Sequence, residues 1–313
     1  MKNLEGKVAV VAGATRGAGR GIACALGEAG AIVYCTGRSV RGKPATGSRP
    51  ETIEETAEMV TSYGGQGIAV RVDHTQEKEV ESLFQRIADE QDGRLDVVVN
   101  DIWGGEDLTE FGPPFWELPL DKGFLMLERA VHTHIITSYY AAPLMVERQK
   151  GLIVEVTDGN NFGYRGNLFV DLVKTSVIRL AYAMATELRK YNVSAIAVTP
   201  GFMRSEAILE GFGVTEANWR EAVDHDPHFI ASETPLYVGR GIAALASDAN
   251  VSAKSGRVFG SWELAREYDL VDADGRRPDW DAYMKEIGFP NYERLKRCDE
   301  EFYSYWVGLF DEV

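Results

Sequence analysis

Seven short runs of branched and aliphatic residues recur along the first 260 positions, apolar on both faces. They cover residues 7–12, 31–36, 67–72, 95–100, 152–157, 193–198 and 257–260. Helical patterns of roughly 12–25 residues separate most of them. A strand that is apolar on both faces must be covered on both. Strands joined through helices run parallel, with right-handed crossovers. The chain is therefore expected to fold as an α/β protein, a doubly wound sheet of about seven parallel strands. Residues 1–261 would form one domain, and residues 262–313 an aromatic-rich C-terminal extension.

Two stretches break the alternation, and both follow carboxyl ends of strands, where ligands bind in such sheets. Residues 37–49 are polar and basic, with Arg38, Arg41, Lys43 and Arg49. Residues 104–123 are rich in Gly, Pro and aromatics. The extension holds eleven of the 32 aromatic side chains: Trp262, Tyr268, Trp280, Tyr283, Phe289, Tyr292, Phe302, Tyr303, Tyr305, Trp306 and Phe310. Disordered tails are poor in aromatics, so it is expected to pack on the body, at the pocket mouth or on a partner subunit.

With 33 basic and 48 acidic residues the net charge is −15, which disfavours nucleic acid and anionic membranes as partners. No apolar run reaches the roughly 18 residues of a membrane helix. The first residues carry no apolar signal-peptide core. Cys24, Cys35 and Cys298 are too few and too scattered for a disulfide framework or a metal site. These features point to a soluble cytoplasmic protein without a metal site.

Between the first strand and its helix lies Gly13-Ala14-Thr15-Arg16-Gly17-Ala18-Gly19. Glycines there permit a tight turn and let backbone N–H groups approach a pyrophosphate, while the helix N-terminus adds partial positive charge. A dinucleotide site on a Rossmann-type sheet is the reading.

The Gly-x-x-x-Gly-x-Gly spacing resembles the short-chain dehydrogenase/reductase family. Further matches are Asn100 ending the fourth strand, Lys174 in the helix after the fifth, and Pro200-Gly201 after the sixth. Asp73 ends the third strand, where the family places an acid near adenine. The resemblance covers roughly residues 5–261 and is strongest to the SDR family member 1 subgroup. Shared stretches include 93–97, 144–146, 151–154, 262–268 and Asp274-Gly275-Arg276. It implies a nicotinamide cofactor, with Ser205 near the carboxamide, and a homodimer or homotetramer. Arg38 and Ser39 follow the second strand where an NAD site has an acid, and Arg16 lies in the glycine loop. Guanidinium groups suit a 2′-phosphate, which implies NADP(H).

The chain departs from the family where the chemistry lies. The family's Tyr stands four residues before the Lys, and here that residue is Val170. The family's Ser falls at Asp158 or Thr157, and its Asn falls near Ala130. Val170 cannot move a proton. Three readings follow. Asp158 or Tyr164 supplies the acid to a carbonyl; or the substrate is an iminium that Asp158 stabilises as a carboxylate; or the chain binds NADP without redox turnover, as a pseudoenzyme, a regulator or a non-redox catalyst such as a cyclase. An engineered Tyr-to-Val exchange would look the same. The bland alternatives are a loop-capping Asp158 and packing roles for Tyr164, His132 and His134. The pocket is expected to be lined by Trp103, residues 111–116, residues 162–164, Phe202 and Met203, with the extension at its mouth.

Overall fold

The computed structural model describes residues 3–45 and 49–301. One sheet of seven parallel strands forms its centre, in the order β3-β2-β1-β4-β5-β6-β7. The strands are β1 (Val8–Ala12), β2 (Ile32–Gly37), β3 (Gln66–Arg71), β4 (Val97–Asn100), β5 (Gly151–Val156), β6 (Val193–Thr199) and β7 (Val258–Gly260). The expected seven strands are all present. The central four, β1, β4, β5 and β6, are almost wholly buried, which is why they carry no polar alternation. The fourth run starts later than its apolar pattern suggests. Asp96 is spent on Lys7 (2.8 Å) and on the Val8 N–H, joining two strand starts.

Helices cover both faces. α1 (Gly17–Glu28), α2 (Ile53–Ser62) and α3 (Glu77–Glu90) follow the first three strands. α4 (Leu120–Leu127) runs through a π-helical segment, Glu128–His132, into α5 (Thr133–Glu147). α6 (Leu168–Leu188) follows β5, α7 (Glu206–Gly211) and α8 (Pro235–Ser247) follow β6, and α9 (Ser261–Tyr268) follows β7. One apolar core lies under α1 and α8, a second under α3, α5 and α6. At the α1–α8 crossing a Cβ on Gly21 would lie 2.2 Å from the Pro235 backbone, so only glycine permits this spacing.

The sheet and its turns place residues 13–17, 38–39, 73–75, 101–104, 157–161 and 200–205 at the carboxyl edge. This is the switch point, where β1 is flanked by β2 on one side and β4 on the other.

The extension continues from α9 through a turn at residues 270–279 into α10 (Trp280–Glu286) and back across that edge. There Cys298 N–H donates to the Asn160 carbonyl (3.1 Å) and Phe162 N–H to the Lys296 carbonyl (3.1 Å). Arg297 binds Glu263, Asp299 and the Val258 carbonyl. Phe302, Tyr303, Tyr305, Trp306 and Phe310 lie outside the described residues. All three cysteines are buried free thiols, and among the described residues no helix is long and apolar enough to cross a membrane.

Candidate active site

A cavity of about 930 Å³ opens along the carboxyl edge of the sheet and joins the glycine loop to the extension. Gly13 turns the chain at φ +91°, and a Cβ there would lie 2.4 Å from the Asp101 carbonyl oxygen. The Gly13 and Ala14 N–H groups donate to the Thr36 carbonyl, which fixes the turn against β2. Gly13, Thr15, Arg16, Gly17 and Ala18 line the cavity. Gly19 does not; it is buried beneath the loop, where a Cβ would meet the Gly13 carbonyl at 2.3 Å. The Gly17 N–H at the α1 N-terminus donates to the Glu206 carboxylate (2.8 Å).

Arg38 and Ser39 line the same end. Arg38 forms no ion pair among the described residues. Arg41 turns outward to Glu58, and Arg49 pairs with Glu51 and Glu210. Asp73 also lines the wall. Burial works to raise its pKa, but hydrogen bonds from Thr75 and the charges of Arg38 and Arg71 outweigh it and hold the carboxyl below its usual range.

Lys174 projects into the middle of the cavity, its ammonium 4.3 Å from the Trp103 ring centre. Thr157 at the end of β5 donates its hydroxyl to the Lys174 carbonyl (2.7 Å) and fixes that turn of α6. Asn167 caps the helix by accepting from Phe169 and Val170 N–H groups. Burial lowers the Lys174 pKa, and the Asp158 and Asp101 charges oppose the shift. Val170, one turn earlier, faces the cavity with 5% of its surface exposed. Behind it, Ala130 in the π-helical segment joins Val170, Phe169 and Val173 in one apolar cluster. The positions where the family resemblance puts Tyr and Asn thus meet as two aliphatic side chains.

The Asp158 side chain lies in the cavity wall. It does not cap the turn: Gly159 N–H is taken by the Thr199 hydroxyl and Gly163 N–H by Asn161. Arg165 instead holds the Asp158 carbonyl (2.5 Å) and pairs with Asp171. Tyr164 is 67% exposed and outside the cavity wall, because this turn carries it to the surface. Phe162, Phe115 and Trp116, also expected in the wall, are likewise surface residues, and of the 111–116 stretch Phe111 alone lines the cavity. Asn100 is buried below the site, its amide donating to Ser138 and Glu155, and does not line the cavity. Glu155 also binds His134 (2.5 Å), which reaches the Ile102 carbonyl.

Pro200, Gly201 and Ser205 line the cavity. Ser205 caps α7, and Gly201 N–H donates to Glu233 (3.0 Å). The extension supplies Trp262, Trp280, Met284, Phe289 and Tyr292 as a further wall.

Several lining residues carry no mark in the sequence, among them Arg129, Asp226, His228 and Asp101, of which Asp101 stands nearest the glycine loop. Asp101, next after Asn100, sits between the glycine loop and Lys174. Desolvation raises its pKa to about 7, against the charges of Lys174 and His134 and a hydrogen bond from Gly19. Only its place after the last residue of β4 could have flagged it.

The sheet order, with the glycine turn and the cavity at its switch point, defines a Rossmann-type α/β protein. The model of the short chain dehydrogenase family matches residues 7–210, and the chain belongs to the short-chain dehydrogenase/reductase family. It is 38% identical over 277 residues to mouse (Mus musculus) dehydrogenase/reductase SDR family member 1, covering 87% of this chain and 85% of that one. The Homo sapiens protein of the same name is 37% identical over 282 residues, with the same coverage. A short chain dehydrogenase crystal structure from Mycobacterium thermoresistibile superposes with a TM-score of 0.73 at 20% identity, covering 88% of this chain and 92% of that one. Family members are oxidoreductases that usually bind nicotinamide cofactors.

Proposed function

We propose that this chain is a cytoplasmic NADP(H)-dependent oxidoreductase that reduces a carbonyl or imine/iminium group of a small hydrophobic or aromatic substrate. The observation that carries the reading is the meeting of Lys174, Val170 and the Asp158 side chain in one cavity with the glycine cradle. The cradle fits a dinucleotide because Gly13, at φ +91° and tight against the Asp101 backbone, turns the chain so that Thr15, Arg16, Gly17 and Ala18 line the cavity. Arg38, free of ion pairs among the described residues, suits a 2′-phosphate. The cofactor, when bound, supplies the hydride. Lys174 would hold the nicotinamide ribose, and Pro200, Gly201 and Ser205 would cover the ring. Asp158 stands beside the reacting group, as acid to a carbonyl or as counter-charge to an iminium.

Asp101 is a second proton-holding group next to Lys174. The aliphatic pair Val170 and Ala130 favours one rival, an NADP-binding protein without redox turnover. NADPH oxidation over a panel of ketones, quinones and cyclic imines separates the two, with NADPH binding measured on the same samples. Turnover by the protein, lowered about 10²–10⁴-fold in Asp158→Asn, is the expected result. Binding without turnover, with activity gained only in Val170→Tyr, would overturn it.

The homodimer or homotetramer that the family resemblance implies has a surface available. Leu120, Phe124, Ile135 and Tyr139 on α4 and α5 are exposed apolar side chains.

A further inference from the structure

The far end of the cavity, away from the glycine cradle, has a composition that the oxidoreductase reading does not call for. Its wall there is aromatic and comes largely from the extension: Trp280, Phe289 and Tyr292, with Phe202 from the loop after β6. Trp280 packs edge-to-face on Phe202 at 6.0 Å between centroids, and Phe289 does the same on His228 at 6.0 Å. These contacts hold the rings as a rigid cup, and aromatic faces attract cations through the ring quadrupole.

The charges around the cup are unequally committed. Lys174 is already stacked on Trp103, Arg129 donates to the Gly104 carbonyl, and His228 shares a hydrogen bond with the Tyr283 hydroxyl. Arg16 and Arg38 stand at the glycine-loop end. Asp158 and Asp226 both line the cavity, and neither forms an ion pair among the described residues. Asp226 uses one oxygen to cap the His228 N–H (2.9 Å), which aims the carboxylate from a fixed backbone position. Cavity carboxylates without ion-pair partners beside aromatic faces, on a chain of net charge −15, make a seat for positive charge.

We propose that this end of the cavity binds a nitrogen cation, so that the substrate is an aromatic or alkyl compound bearing an ammonium or iminium group. The proposal rests on the oxidoreductase reading only in calling the occupant a substrate. The rings of Trp280, Phe289 and Tyr292 surround the cation, and Asp226 is its counter-charge. Asp158 serves the same sign of charge nearer Lys174.

Calorimetric titration of the full chain, with and without NADP⁺, tests this with a matched pair of probes. One is 3-hydroxyphenyltrimethylammonium and the other its carbon isostere, 3-tert-butylphenol. The cation is expected to bind about tenfold more tightly. That preference should fall below about threefold in Trp280→Leu and in Asp226→Asn, and persist in Trp280→Phe. Asparagine at 226 retains the cap, so that variant answers even where Trp280→Leu fails to fold. Equal or tighter binding of the neutral isostere overturns the proposal, as does a preference unchanged in both variants. NADPH oxidation is read separately. A cation preference without NADPH oxidation in the presence of any substrate leaves the seat standing and removes the redox reading. Oxidation with neutral ketones and no cation preference does the reverse.

Discussion

Glu233 is 1% exposed, yet one of its carboxyl oxygens has no hydrogen-bond partner among the described residues. The other accepts from Ser261 (2.6 Å) and from Gly201 N–H. Burial raises its pKa from 4.5 to about 8, more than those two donors lower it. The folded chain therefore holds this proton across a range in which the unfolded chain has lost it. Stability is greatest below the unfolded value and is lost as pH rises toward about 8, by up to roughly 1.4 kcal/mol per pH unit. Thermal unfolding of Glu233→Gln from pH 5 to 8.5 should show a shallower fall in Tm than the parent. Parallel curves would mean that the carboxyl is ionised throughout. The tail's aromatic content pointed to packing, but nothing in the sequence marks Glu233 as buried, because its burial follows from Ser261 and Trp280 folding over Gly201. Asp101 was missed for the same reason. The strand pattern ends at Asn100, and the next side chain is desolvated by a loop some ninety positions earlier.

Among the elements, α1 and α7 meet at a point that bears on cofactor affinity. Ser205 caps α7, which puts Glu206 in its first turn, and Glu206 accepts from the Gly17 N–H at the start of α1. A carboxylate at that positive helix end competes with any phosphate for the same charge. Glu206→Gln should bind NADPH about three- to tenfold more tightly at low salt, with the gain shrinking as salt is added. Unchanged affinity in fluorescence titration would show that the two anions do not share the site. The strands were legible because a two-sided apolar run has few other uses. The glycine loop was legible because its spacing sits between one such run and a helix. The aromatic loop at 104–123 was not, because a loop has no period to say which side chains turn inward. Phe111 lines the cavity, while Trp116, five residues on, is 71% exposed.

Across the whole molecule, Arg204 ties the extension to the body. Its guanidinium is buried, bonded to Glu216, Asp274 and the Ser232 carbonyl, and stacked 4.3 Å from the Trp219 ring centre. Asp274 belongs to the turn before α10, so one side chain links the loop after β6 to the part of the cavity wall that the extension supplies. Arg204→Met would leave the buried Asp272 carboxylate, 3.8 Å from the guanidinium, without this cation, while Glu216 and Asp274 can turn to solvent, and should cost about 1.5–3 kcal/mol. Amide exchange should quicken across residues 270–286 more than in the β1–α1 unit. Uniform loosening of both would show that Arg204 is ordinary core packing. The long reach of this tie has a consequence in time. Ribosomal synthesis delivers the cavity-lining residues up to Asp73 first, and Trp280 some 200 positions later. At about 5–20 residues per second, that interval is roughly 10–40 s. A nascent chain thus presents the glycine turn well before the cavity can be closed, and closure waits for the extension.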